Sequence, residues 1–104
     1  MMLVQAVGMG VRISLADLEM TWRAVDEAAG AGRGALERTA VAFGVRRAVV
    51  MAAIDRVEAA VGDQDFFDAR VRRSGALTAA GHAFHRKAPA LIRAWKGLMP
   101  PGVK

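Results

Sequence analysis

At 104 residues the chain is long enough for one hydrophobic core and too short for a second, ligand-sensing domain. Its composition is 54% hydrophobic, mostly Ala, Val and Leu, which suits close-packed helices; the lack of cysteine excludes disulfide frameworks and thiolate sites. The net charge of +5 is uneven: residues 1–62 carry seven basic and seven acidic side chains, residues 63–104 eight basic and three acidic, so the later part of the chain has either the electrostatic footprint for a polyanion or a solvated basic surface, which charge alone does not distinguish.

No apolar run approaches the ~18 residues of a membrane span, so no membrane partner is expected. Met1 to Val7 is apolar but has neither a basic leader nor a cleavage pattern, which points to the cytoplasm. Residues 1–13 form an arm or short strand, since Gly10-Val11-Arg12-Ile13-Ser14 alternates. Ser14 with Asp17 resembles a helix start, the hydroxyl capping a free amide and the carboxylate favouring the positive helix end. Leu15, Leu18, Trp22, Val25 and Ala29 then recur at helical spacing to about residue 29, and the glycines of 30–34 end that helix.

Ala35 to Phe43 is a short second helix with Leu36, Ala40 and Phe43 inward. Gly44 stops it and Val45 begins the turn to a third helix, Arg46 to Val61, with apolar Val50, Ile54, Val57 and Val61. Two short helices joined through a Gly-containing turn are the helix-turn-helix unit. Phe66-Phe67 and Ala76-Leu77 bracket an Arg-rich segment and predict a short two-stranded wing. Thr78 stands at the N-cap of a last helix over 79–98, with Ala83, Phe84, Ala88, Ile92 and Trp95 at helical spacing. Pro89 removes the bond to His85 and is expected to kink or interrupt that helix. Residues 99–104 form a tail. The fold expected is a single, mainly α, winged helix-turn-helix domain.

The order of these elements from Leu15 to Ile92 resembles the DNA-binding domain of the LysR-type transcriptional regulators. Leu15, Leu18 and Trp22 stand where that family has spaced Leu and aromatic residues, and Leu36, Thr39-Ala40 and Phe43 resemble its second helix. Ile54, Val57-Glu58 and Val61-Gly62 are similar to its Ile-x-x-Leu-Glu-x-x-Leu-Gly, and Phe66 or Phe67 matches the Phe of its Leu-Phe pair. Leu77-Thr78-x-Ala80-Gly81 is the most specific likeness; the ModE-type domain ends similarly. Two departures stand out. The Gly30–Gly34 loop is longer, and the third helix opens on Arg46-Arg47-Ala48-Val49-Val50-Met51 where the family reads Ser-Gln-Pro-Ala-x-Ser.

Arg46 and Arg47 can reach phosphate or guanine, and Met51 or Ala52 a thymine methyl. Arg56 lies further along the same helix, toward the backbone. Arg70, Arg72 and Arg73 on the wing suit phosphate or a narrow minor groove, while Arg33 and Arg38 are weaker candidates. The resemblance implies a homodimer through the last helix, with Phe84, Ala88, Ile92 and Trp95 as the seam. His82 and His85 lie near one helix face but lack further ligands, so one is expected to pack and one to be exposed, with no metal. Asp63, Asp65 and Asp68 lack the glycine and terminal glutamate of a calcium loop. The glycine-rich stretches lack the context of a nucleotide loop, and no nucleophile–base pair can be assembled. The expectation is therefore a cytoplasmic, nucleoid-associated regulator that binds double-stranded DNA without cofactor, catalysis or effector domain. The alternatives are a protein-interaction module, whose partner could be another regulator, and a nonspecific architectural DNA protein.

Overall fold

Ser14 and Asp17 open the first helix by capping each other: the Asp17 N–H donates to Ser14 Oγ and the Ser14 N–H to Asp17 Oδ2, both at 3.1 Å. This is a capping box with aspartate in the third position. The computed structural model describes residues 13–31, 33–68 and 76–98. Among them lie four helices: α1 (Leu15–Ala31), α2 (Ala35–Phe43), α3 (Arg47–Ala60) and α4 (Ala79–Gly97). Leu18, Thr21, Ala24, Val25 and Ala28 of α1 are buried at the three- and four-residue steps of one helical face. That face makes α1 the axis of the domain, because α2, α3 and α4 all pack against it.

Both α2 and α3 end on glycine. The Val45 N–H donates to Ala40 O (3.0 Å) and the Gly44 N–H to Val41 O (3.2 Å), with Gly44 at φ 66°. The pair Asp63 to Glu58 O (2.9 Å) and Gly62 to Ala59 O (3.3 Å) repeats the pattern, with Gly62 at φ 102°. Each left-handed residue turns the chain sharply while satisfying carbonyls that the helix leaves open. Phe43 departs from the inward placement expected of it. It sits in the last turn of α2, beyond the buried Ala35, Leu36, Thr39 and Ala40, and is 36% exposed at the rim of the α1–α4 groove. Val61 likewise lies past the end of α3 and is exposed.

α4 is seated on the Phe66 backbone. The Thr78 N–H donates to Phe66 O (2.9 Å), the Thr78 hydroxyl donates to Asp65 O, and the same hydroxyl caps α4 by accepting from Gly81 N–H (3.1 Å). Gly81 lies so close that a Cβ there would stand 2.2 Å from Phe66 O. Buried Glu58 of α3 accepts the Phe66 N–H (2.7 Å), and the Phe66 ring stacks on Phe84 with centroids 4.6 Å apart. The Thr-x-Ala-Gly sequence is thus a cap followed by the one side chain small enough for this approach. Phe67 and Leu77 form an antiparallel bridge, extended by Asp68 N–H to Ala76 O at 3.0 Å. Where a two-stranded wing was expected, the described residues contain this single bridge and no strand.

Of the kink or interruption expected at Pro89, the interruption does not occur: Pro89 lies inside α4, which runs from Ala79 to Gly97. Its ring leaves His85 O without a helical donor, and Trp22 Nε1 of α1 donates to that oxygen at 3.1 Å. The Trp22 ring also stacks on His85 (centroids 5.8 Å, planes 11° apart), and His85 Nε2 lies 2.8 Å from Asp26 Oδ1. Lys96 with Glu19 at 2.9 Å ties down the other end of the same helix pair.

Gly81→Ala should lower stability by about 2 kcal/mol in urea denaturation, because displacing backbone outweighs the helix propensity that alanine adds. An unchanged or raised midpoint would mean that α4 can shift freely. Asp17 titrates below an ordinary aspartate, first because the Arg56 guanidinium hydrogen-bonds it and then through its Ser14 partners. Its folded pKa is below the unfolded value, so its contribution is full at neutral pH and fades as pH falls through the ordinary carboxylate range and below. Thermal melts of Asp17→Asn should accordingly differ most from the parent near pH 7 and converge toward it in acid.

Candidate nucleic-acid interface

The turn closed by Gly44 and Val45 carries the chain into α3 so that Arg46 caps the helix in extended backbone (φ −78°, ψ 154°) and Arg47 is its first residue. Val50, Ala53, Ile54 and Val57 are fully buried. Packing of that stripe leaves Ala48, Val49, Ala52, Asp55 and Arg56 exposed. No side chain caps the amides at the start of α3, so the positive helix end lies beside two exposed arginines.

The two arginines differ in their surroundings. Arg46 makes no ion pair among the described residues. Arg47 Nε lies 2.9 Å from Glu37 Oε2, on the first turn of α2, with both side chains well exposed. Met51 is partly buried against the core, and Ala52 is on the open face. Arg56 is held by Asp17, with Nε 3.0 Å from Oδ2 and Nη2 2.8 Å from Oδ1. Its first partner is therefore the N-terminus of α1. Arg38 is similarly committed: its Nε donates to Glu27 Oε1 (2.6 Å) and its Nη1 to Arg33 O (2.6 Å), while Arg23 donates to Glu27 Oε2 (2.9 Å). Arg38 and then Arg23 hold the Glu27 carboxyl below its usual range.

Arg70, Arg72 and Arg73 lie outside the described residues, as do Gly8–Gly10, most of the expected N-terminal strand and the Pro100–Gly102 tail. Two cations that the sequence reading left aside do have a definite place. Arg86 and Arg93 are exposed and seven residues apart, with exposed His82 one turn before, so all three share the outer face of α4. Their heptad spacing was the available signal.

The four residues read as a dimer seam are turned inward instead. Ala88 is buried, Phe84 stacks on Phe66, and Ile92 and Trp95 pack against the core. α1 needs an apolar partner to complete a single core, and this face of α4 supplies it. The large apolar side chain left open on α4 is Leu91 (52% exposed), with Leu98 (84%) just beyond its end. Leu91 and Val61 border an apolar groove of about 470 Å³ where the end of α3 meets α4.

His85 packs on Trp22 and His82 is exposed. Among the described residues no group of His, Asp or Glu could hold a metal ion, and no helix is long and apolar enough to cross a membrane. No family model, curated protein or solved structure matches the chain.

The Asp17–Arg56 pair should behave as one structural unit. A double-mutant cycle of Asp17→Asn and Arg56→Gln, read by chemical denaturation, is expected to give a coupling of about 1–2 kcal/mol. Additive effects would show that Arg56 is available for other partners.

Proposed function

We propose that the chain is a transcriptional regulator that reads double-stranded DNA with α3, working as a nucleoid-associated homodimer. The observation that carries this reading is the α2–turn–α3 pair. Its glycine-closed turn presents two arginines at the uncapped start of a helix whose outer face is free of the core. A helix so placed fits a major groove, with the arginines at its leading end. The likeness of the Leu-Thr-x-Ala-Gly stretch to the LysR-type domain supports the same assignment. In this reading the Phe67–Leu77 bridge is the base of a wing that brings Arg70, Arg72 and Arg73 to the DNA backbone.

One small reader spans few base pairs, so two-fold pairing is needed for a longer operator. With Phe84, Ala88, Ile92 and Trp95 committed to the core, the seam falls on the flank of α4. Lys87, Leu91, Ala94 and Leu98 there follow alternating four- and three-residue steps, the spacing of helices that pair side by side.

Selection from a random duplex pool at low and moderate salt tests the reading. A recurrent two-fold motif with half-sites about one helical turn apart is expected. Tight binding with a steep salt dependence and no motif would indicate an architectural protein instead. Replacing both Arg46 and Arg47 by alanine should reduce the salt slope by about 2 per protomer, about 4 for the dimer, if each neutralises one phosphate. Leu91→Glu with Leu98→Glu should give a monomer by sedimentation and weaken binding to the two-fold site at least tenfold.

A second reading has its own observation: Val41, Phe43 and Val49 are exposed around the same turn, 82%, 36% and 41% respectively. An apolar surface of this kind suits a protein partner, another regulator among them. Failure to bind any duplex at low salt would favour it.

A further inference from the structure

Where the end of α3 meets α4, the apolar groove of about 470 Å³ lies open between Val61 and Leu91, which are 46% and 52% exposed. Ile13, the first described residue, packs against the core and lines the same groove. The sequence before it alternates strictly. Val7, Met9, Val11 and Ile13 are apolar, while Gly8, Gly10, Arg12 and Ser14 between them are glycine or polar. On an extended chain residues two apart share a face, so the face that Ile13 sets against the groove is also that of Val7, Met9 and Val11. We infer that residues 7–11 dock in this groove of their own chain and cover Leu91, in competition with the α4 seam that pairs two copies.

The match is one of chemistry as well as phase. Among the described residues lining the groove only Gln64 and Lys87 are polar, and residues 7–11 carry no charge. Pockets of ~300–1,000 Å³ hold drug-sized ligands, and one Met and two Val side chains need less room. The reach is short: Val7 to Ile13 is about 20 Å of extended chain. Ile13 already anchors the segment at the groove, so docking within one chain closes almost no loop. The same segment of a second copy would make the same contacts only after paying for association. Burying three apolar side chains and fixing five residues are opposing effects of similar size, so the docking is reversible, as a competitor must be. Lys87 and Leu91 line the groove and also stand in the proposed seam, so a docked segment and a paired α4 exclude each other. That consequence rests on the homodimer reading; the docking itself does not.

The chain has no cysteine, so a nitroxide can be attached at Gly8→Cys alone, on the phase of the segment that faces away from the groove. In the full-length chain this label should broaden the amide signals of Phe84 and Leu91. Replacing Val7, Met9 and Val11 together by serine should cut the broadening severalfold. Val61→Glu, which borders the groove but lies outside the seam, should do the same. Broadening that survives both changes would reflect the tether at Ile13 alone and overturn the inference, as would its absence from the parent. Mixing nitroxide-bearing chains with isotope-labelled chains that lack the nitroxide separates the two possible sources of the segment. Broadening between chains would give the groove to a second copy's segment and overturn docking within one chain. By sedimentation the serine variant should dimerise about tenfold more tightly than the parent, since its seam is no longer covered. Equal dimerisation of the two would overturn the competition. If neither dimerises, the homodimer reading fails and the competition with it, while the broadening still decides the docking.

Discussion

The arrangement depends most on the backbone of one residue, Phe66. Its N–H is taken by the buried Glu58 of α3, its carbonyl by the N–H of Thr78 at the head of α4, and its ring by Phe84. Helix α4 can approach that carbonyl because Gly81 has no side chain. A buried peptide group must be paired, and here the pairing links α3 to the head of α4. Loss of the seat would free α4, and with it the inward stripe of Ala88, Ile92 and Trp95 that closes the core.

A second constraint comes from the proline in α4. An interior proline orphans a carbonyl, and a helix normally bends or ends there. Here α4 does not end, and Trp22 lends its indole N–H to that oxygen and covers the ring of the same histidine. The cost of the proline is thereby converted into a directional contact between α1 and α4. It fixes the rotation of the last helix, which decides what faces the core and what remains outside: Leu91 and Leu98 on one flank, His82, Arg86 and Arg93 on the opposite face.

The candidate interface is sparse in polar groups but ordered in its charges. Arg38 and Arg56 serve the fold, one bound to Glu27 and the other to Asp17, so their positive charge is already answered by carboxylates of α1. Arg46 is free among the described residues, while Arg47 is held by an acid from the neighbouring helix. A net charge summed over the chain gives each arginine the same weight. The contacts divide them into those that hold the domain together and those that remain open to a partner.

Local pattern was enough to read the four helices to within a few residues, the Ser14–Asp17 start, the glycine stops at Gly44 and Gly62 and the cap at Thr78. Each depends on residues within one or two turns of one another, where backbone preference and helical spacing act directly. The partners of Arg47 and Arg56 could not be read that way. Glu37 and Asp17 lie 10 and 39 positions earlier, and only the angle of the turn and the packing of α1 bring them into reach. The same holds for α4: its spacing marks an apolar stripe, but not whether that stripe meets a second copy or its own core. The amino-acid sequence by itself determined where the helices begin and end and that one flank of each is apolar, because those properties are local. The tertiary structure decided which arginines are spent on the fold, how Pro89 is accommodated and which flank of α4 stays open, because those outcomes depend on how separate helices meet.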